Sequence, residues 1–242
     1  MRLTKGFYLG VHEVTQAEYS VVMGANPSSF SSTGSLKERV AGQDTDQFPV
    51  ENVTWFDTLE FCNKLGEKEQ LTPCFRLTDV KREDGGIASA TVAIIESGTG
   101  YRLPTEAQWE YACRGGTTGP FHFGQALDGS QANCDGTNPY GTTTDGPYLL
   151  RTTTVGSYPA NSFGLCDMHG NVWEWCLDWY RADYEKLSAD DPLNLESGSV
   201  RVFRGGGWFS DAVRCRSAYR NGRAPVYRRH DLGFRVGRVP SR

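Results

Sequence analysis

The feature that most constrains this chain is a gap in its pattern. From 117 to 160 the sequence is rich in Gly, Thr, Asn and Pro and carries neither helical nor strand periodicity. A structureless stretch of that length is unusual inside a compact domain. Something other than regular secondary structure, such as a metal ion, must pin it. The fold is therefore expected to be loop-rich. The 28 glycines and the 12% aromatic content fit that expectation: many turns, with a core filled by Trp, Tyr and Phe.

Around the gap, three helices are legible. Thr15-Gln16-Ala17-Glu18 is a capping box, followed by Tyr19, Val22 and Met23 at helical spacing and stopped by Gly24 and Asn26-Pro27. Thr54 with Asp57 opens a second helix, with Trp55, Leu59, Cys62 and Leu65 on one stripe and Gly66 expected to end it. Thr105-Glu106-Ala107-Gln108 opens the third, which buries Trp109, Ala112 and Cys113 and ends before Gly115-Gly116. Residues 74–77 and 90–95 read as a hairpin with a polar turn at 81–86, and 172–175, 200–204 and 233–236 as short strands. No repeat or linker interrupts the chain, so one domain over 1–242 is expected.

The net charge is −4, yet residues 201–242 hold eleven Arg and two Asp. Two readings follow: arginines serving as internal donors to loop carbonyls, or an electropositive surface for an anionic ligand. The acidic total argues against nucleic acid. No run of about 18 apolar residues is present, so no membrane span is expected. The first residues have no signal-peptide core; a cell-surface or extracellular location would need a preceding leader. None of the seven cysteines forms a C-x-x-C pair, which argues against a zinc ribbon or thioredoxin site.

The blocks at 13–19, 49–55, 101–112, 164–175, 204–208 and 232–235 (Glu13-Val14-Thr15, Pro49-Val50-Glu51-Asn52-Val53, Tyr101-Arg102-Leu103-Pro104-Thr105-Glu106, Gly164 to Trp175, Arg204-Gly205-Gly206-Gly207-Trp208, Leu232-Gly233-Phe234-Arg235) together resemble the formylglycine-generating-enzyme, or sulfatase-modifying-factor, family. They stand in family order from residue 7 to 238. The resemblance implies an irregular, loop-rich α+β fold related to the C-type lectin fold, with about three helices and short antiparallel sheets. The family spans copper-dependent oxidases that convert a protein cysteine to formylglycine, iron-dependent sulfoxide synthases, and non-catalytic binding modules, among them the variable proteins of diversity-generating retroelements.

The oxidases bind Cu(I) through two cysteines after the Gly-Gly-Ser-Trp motif. Here those places fall on Ser210 and near Ala212, and the motif serine is Gly207. A hydroxyl cannot replace a thiolate for Cu(I). The resemblance therefore implies a chain without catalytic residues, and copper is not expected; the oxidase stays as the alternative. His12, His122, His169 and His230 share no i, i+4 spacing for an iron site, and His169 is expected to orient its own loop. A disulfide between Cys113 and Cys215 is implied by a family pairing two residues from Cys215, with buried free thiols as the alternative. Asp167, Gly170, Val172 and Glu174 match a structural calcium site of the family, and a second would use Asn133, Cys134 and Asp145. The family's variable region maps to 209–231. Phe209, Ser210, Asp211, Val213, Arg214, Arg223, Tyr227, Arg229 and His230 are then the expected contacts to a protein or small-molecule ligand, with an ordinary polar loop as the alternative.

Overall fold

Each helix begins at a threonine held in extended backbone. Thr15, Thr54 and Thr105 accept the N–H of the residue three places on, and the side chains of Glu18, Asp57 and Gln108 accept the N–H of the threonine in return. In this computed structural model, which describes residues 2–240, the helices are α1 (Gln16–Met23), α2 (Trp55–Lys68) and α3 (Glu106–Arg114). The expected domain limits, 1 and 242, lie outside the described residues. Left-handed glycines, Gly24 at φ 78° and Gly115 at φ 53°, end α1 and α3. Gly66 does not end α2. Its carbonyl accepts the N–H groups of Glu69 and Leu71, which places it one turn inside the helix.

The strands are β1 (Tyr8–Leu9), β2 (Phe75–Glu83), β3 (Gly86–Ile94), β4 (Trp173–Trp179), β5 (Arg201–Arg204), β6 (Asn221–Arg223), β7 (Leu232–Gly233) and β8 (Gly237–Arg238). They form three small sheets: β1 with β8, β2 with β3, and a four-stranded sheet ordered β6-β5-β4-β7. The hairpin is longer than its hydrophobic pattern. Asp84 and Gly85 both take positive φ (49° and 81°), the requirement of a tight two-residue turn, so the strands pair up to the tip. In the third sheet β4 runs antiparallel to β5 but parallel to β7, which the expectation of antiparallel sheets did not include.

β4 organises the interior by simple alternation. Trp173, Trp175 and Leu177 enter the main apolar cluster with Trp55, Leu59, Phe203 and Phe234. Cys176, from the opposite set, joins a second cluster with Trp109, Cys113 and Met168. Glu174 belongs to that second set, and its carboxylate is fully buried. Arg235 binds it through Nε at 2.6 Å and Nη2 at 2.7 Å, and the Trp109 indole N–H donates at 2.8 Å. The same guanidinium donates to the carbonyls of Gly10, Val11 and Cys166. Arg204, also fully buried, donates to the carbonyls of Tyr219 and Ser217 and pairs with Glu110. Arg220 grips Glu106 with two bonds. Several of the tail arginines are thus internal donors, as the first of the two charge readings held.

The 117–160 stretch contains no helix or ladder strand. It is pinned in two ways. Phe121, Leu127, Ala132 and Cys134 form an apolar cluster with Ala212 and Cys215. The Asn133 amide bonds the Arg151 carbonyl and Asn171 Oδ1, and Asn171 Oδ1 in turn accepts the Thr153 N–H.

Replacing Arg235 with Met is expected to cost roughly 3–5 kcal/mol, because it strands a buried carboxylate. Urea unfolding at neutral pH measures this; a loss below about 1 kcal/mol would mean that the pair does not hold the fold together.

Candidate functional site

The residues expected to contact a ligand do not form one continuous surface. Phe209, Arg229 and His230 converge on Trp208. Ring centroids lie 5.2 Å apart for Trp208–Phe209, 5.4 Å for Trp208–His230 and 5.9 Å for Phe209–His230. Buried Phe30 supports Trp208 edge-on at 5.4 Å, and the Trp208 indole donates to the His230 carbonyl at 3.1 Å. The Arg229 guanidinium sits 4.7 Å from the Phe209 ring and bonds both oxygens of buried Asp231 at 2.5 Å. Arg39, 5.9 Å from the Trp208 ring, and Tyr148, stacked on it at 6.3 Å, complete the patch. Sequence reasoning missed both, since they come from loops far away in sequence.

Asp211, Val213 and Arg214 lie on or beside a short turn at Ala212–Cys215, with Asp211 and Arg214 3.5 Å apart. Arg223 and Tyr227 form a separate pair, ring to guanidinium 5.6 Å. Ser210 is a correction. It is buried, and its hydroxyl accepts the Gly207 N–H at 3.0 Å, so it holds the turn rather than facing a ligand.

The residues at the place expected for copper cysteines are packed inward. Ala212 is fully buried in the apolar cluster of the long loop. Gly207 packs so tightly on Asp231 that a Cβ would lie 3.1 Å from the Asp231 Cβ, a spacing that forces neighbours to move. Of the two readings for Cys113 and Cys215, the structure shows both as buried free thiols. The Cys113 thiol lies 3.5 Å from Ser217 Oγ, two residues on, and beside the His169 ring, while Cys215 shares its cluster with Cys134. All seven cysteines are free thiols. His169 does orient its loop: Nδ1 donates to the Cys215 carbonyl at 2.7 Å and Nε2 accepts the His122 N–H. Burial pushes its pKa down to about 3, keeping the ring neutral.

At the loop of Asp167, Gly170, Val172 and Glu174, the Glu174 oxygens are already engaged by Arg235 and Trp109. The unmet charge lies beside it. Glu13 is fully buried and neither of its carboxylate oxygens has a partner. Burial and the neighbouring Asp167 hold its carboxyl well above the ordinary range, and Asp167, with one oxygen on the Gly156 N–H, is raised as well, chiefly by burial. Three buried carboxylates thus surround one guanidinium, and among the described residues no group of three or more His, Cys, Asp or Glu is placed to hold a metal ion. In the second set, Asn133 Oδ1 is buried without a partner, which suits an oxygen-ligated cation, whereas Asp145 is exposed and no hydrogen bond among the described residues links it to Asn133.

A cleft of about 920 Å³ lies between residues 2–9 and α3, bordered by Phe7, Tyr8, Tyr111 and Phe163; none of its lining residues belongs to 209–231. No helix among the described residues is long and apolar enough to cross a membrane.

The architecture, three capped helices around small mixed sheets with long pinned loops, is that of the formylglycine-generating-enzyme fold. The sulfatase-modifying factor enzyme 1-like domain model matches residues 1–239, and the chain belongs to that family. Treponema denticola variable protein 1 superposes with a TM-score of 0.80 at 32% identity, covering 99% of this chain and 86% of that one. The chaperone protein LppX of Paenibacillus barcinonensis is 34% identical over 252 residues, 96% of this chain and 80% of its own length. The formylglycine-generating enzyme of Streptomyces coelicolor is 40% identical over 145 residues, but that alignment spans only 56% of this chain and 46% of the enzyme.

Beneath the aromatic patch, Glu51 accepts the Phe30 N–H with one oxygen and leaves the other buried without a partner. Burial lifts its carboxyl from the ordinary 4.5 to about 8. A raised carboxyl favours the folded state at low pH, and that advantage is lost as pH rises through the folded value. The stability of Glu51→Gln relative to the native chain is therefore expected to grow by a few kcal/mol from about pH 4.5 to about pH 8 and then level off. Urea midpoints across that range check this; a gap that stays constant would place the Glu51 carboxylate in its ionised form throughout.

Proposed function

We propose that this domain is a non-catalytic ligand-binding module, presenting Phe209, Arg229 and His230 around Trp208, with the Asp211–Arg214 turn and the Arg223–Tyr227 pair, to a protein or small-molecule ligand. One observation carries the reading: where the oxidases hold two thiolates, this chain has a buried, hydrogen-bonded serine and a buried alanine. An exposed aromatic beside cations on a rigid base suits recognition. Phe209 is about a third exposed and rests on a tryptophan and histidine that are fixed from below. The likeness to a variable protein over nearly the whole chain supports the same reading, including diversification of 209–231.

The oxidase reading rests on the partial match to the Streptomyces enzyme and would need a copper site built on Cys215. That thiol is fully buried and turned inward toward Cys134, a poor position from which to meet a substrate peptide. Calcium belongs to the proposal as a scaffold ion. Asp167 and the Gly170 and Val172 carbonyls would hold it beside the uncompensated Glu13 carboxyl, and Asn133 with the Cys134 carbonyl would offer a second place. Bound there, it would neutralise buried charge and stiffen the loops under the face.

Three outcomes are expected. Titration with Cu(I) against a competing chelator gives no stoichiometric binding, and a sulfatase-derived cysteine peptide is left unmodified; tight Cu(I) binding abolished by Cys215→Ser would establish the oxidase instead. Peptide and glycan arrays probed with the native domain give signals that the Phe209→Ala, Tyr227→Ala, Arg229→Ala triple variant loses; retained signals would move the site elsewhere. Millimolar calcium raises the thermal midpoint of chelator-treated protein, and Asp167→Asn reduces that rise; equal midpoints with and without calcium would sink the scaffold ion.

A further inference from the structure

The long loop and the segment bearing the face are zipped together at one place. Asp135 and Asp211 form a parallel bridge, in which the Asp135 N–H donates to the Ser210 carbonyl at 3.0 Å, and the Ala212 N–H donates to the Asn138 carbonyl at 3.1 Å. Cys134 immediately precedes that bridge, and Cys215 ends the short turn that follows it. Both side chains enter the same apolar cluster, 1% and 0% exposed. The Cys215 thiol lies against the Cys134 side chain, which together with burial holds that thiol well above its usual pKa. Neither thiol makes a hydrogen bond that the fold requires: the one polar contact of the Cys215 sulfur is a long one, 3.9 Å, to the Asp211 carbonyl. The Cys215 backbone is fixed by the His169 bond to its carbonyl at 2.7 Å. Cys113, the rival partner, is committed to Ser217, the Met168 carbonyl and the His169 ring.

We propose that Cys134 and Cys215 are a disulfide-forming pair that staples the 117–160 loop to the segment presenting the 209–231 face. Formation breaks two S–H bonds and makes one S–S bond. The two protons and two electrons pass to a small-molecule disulfide such as oxidised glutathione, whose S–S bond breaks to give two thiols, through a mixed disulfide on one of the two cysteines. Because both thiols are buried and protonated, exchange proceeds while the loop is open, during folding or local unfolding, rather than on the closed molecule. The bond would close a loop of about 80 residues and act mainly on the unfolded chain. It would hold the turn at 211–215 in register whatever residues occupy the face. This inference does not depend on the binding reading: a domain with another role on the same scaffold would carry the same pair, whereas a copper site built on Cys215 would exclude it.

The test is peptide mapping of protein refolded in a glutathione redox buffer and alkylated under denaturing conditions, with melting measured before and after reduction. The expected result is a linked peptide pair containing Cys134 and Cys215, lighter by about 2 Da than the two free peptides, and a thermal midpoint that falls on the order of 10 °C on reduction. Cys113→Ala keeps both the link and the shift; Cys134→Ala loses both. A Cys113–Cys215 link, or folded protein at the same redox poise with the thiols of Cys134 and Cys215 both alkylated, would overturn the proposal. Far-ultraviolet circular dichroism of each variant at 20 °C separates a lost link from a lost fold.

Discussion

The structure depends on one buried ion pair. The Arg235 guanidinium meets the Glu174 carboxylate from strand β4, the carbonyls of Gly10 and Val11 from the N-terminal segment, and the Cys166 carbonyl from the loop before β4. Trp109 of α3 completes the carboxylate's shell. Four parts of the chain that share little regular hydrogen bonding are thereby fixed to one point. A loop-rich fold needs such points, because each buried carbonyl outside a ladder must find a donor. A planar guanidinium with five donors answers several at once.

The same logic explains the basic tail. Arg204 and Arg220 satisfy loop carbonyls and tie the 217–220 backbone to α3 through Glu106 and Glu110. The excess positive charge at the C-terminal end is therefore partly internal, and the electropositive-surface reading applies to fewer residues than a count suggests. Arg229 is half committed: bonded to Asp231 beneath, it still covers Phe209 above. It shapes the patch through a charge that is already balanced.

The face and the loop beneath it form a single mechanical unit. The buried Ser210 and Ala212 anchor the turn, while Phe209, Val213 and Arg214 between and beside them point outward. Alternation of anchored and free positions lets the outward side chains vary without disturbing the fold, the property expected of a scaffold whose surface rather than interior carries specificity.

Local features were legible in the sequence: the three capping boxes, the glycine stops of α1 and α3, the buried stripes and the hairpin, because capping and turn chemistry act over three or four residues. The expectation that the oxidases' copper positions fall on Ser210 and near Ala212 likewise rested on residue identity and count. The continuation of α2 through Gly66, the parallel pairing of β4 with β7, the neighbour of Cys215 and the joining of Arg39 and Tyr148 to Trp208 were decided only in three dimensions. Each rests on contacts between segments distant in sequence, and no local propensity encodes which buried carboxylate an arginine will meet or which thiol will lie across from another. The sequence by itself determined the elements and the chemistry available; the tertiary structure decided which of those groups were spent holding the loops and which were left facing out.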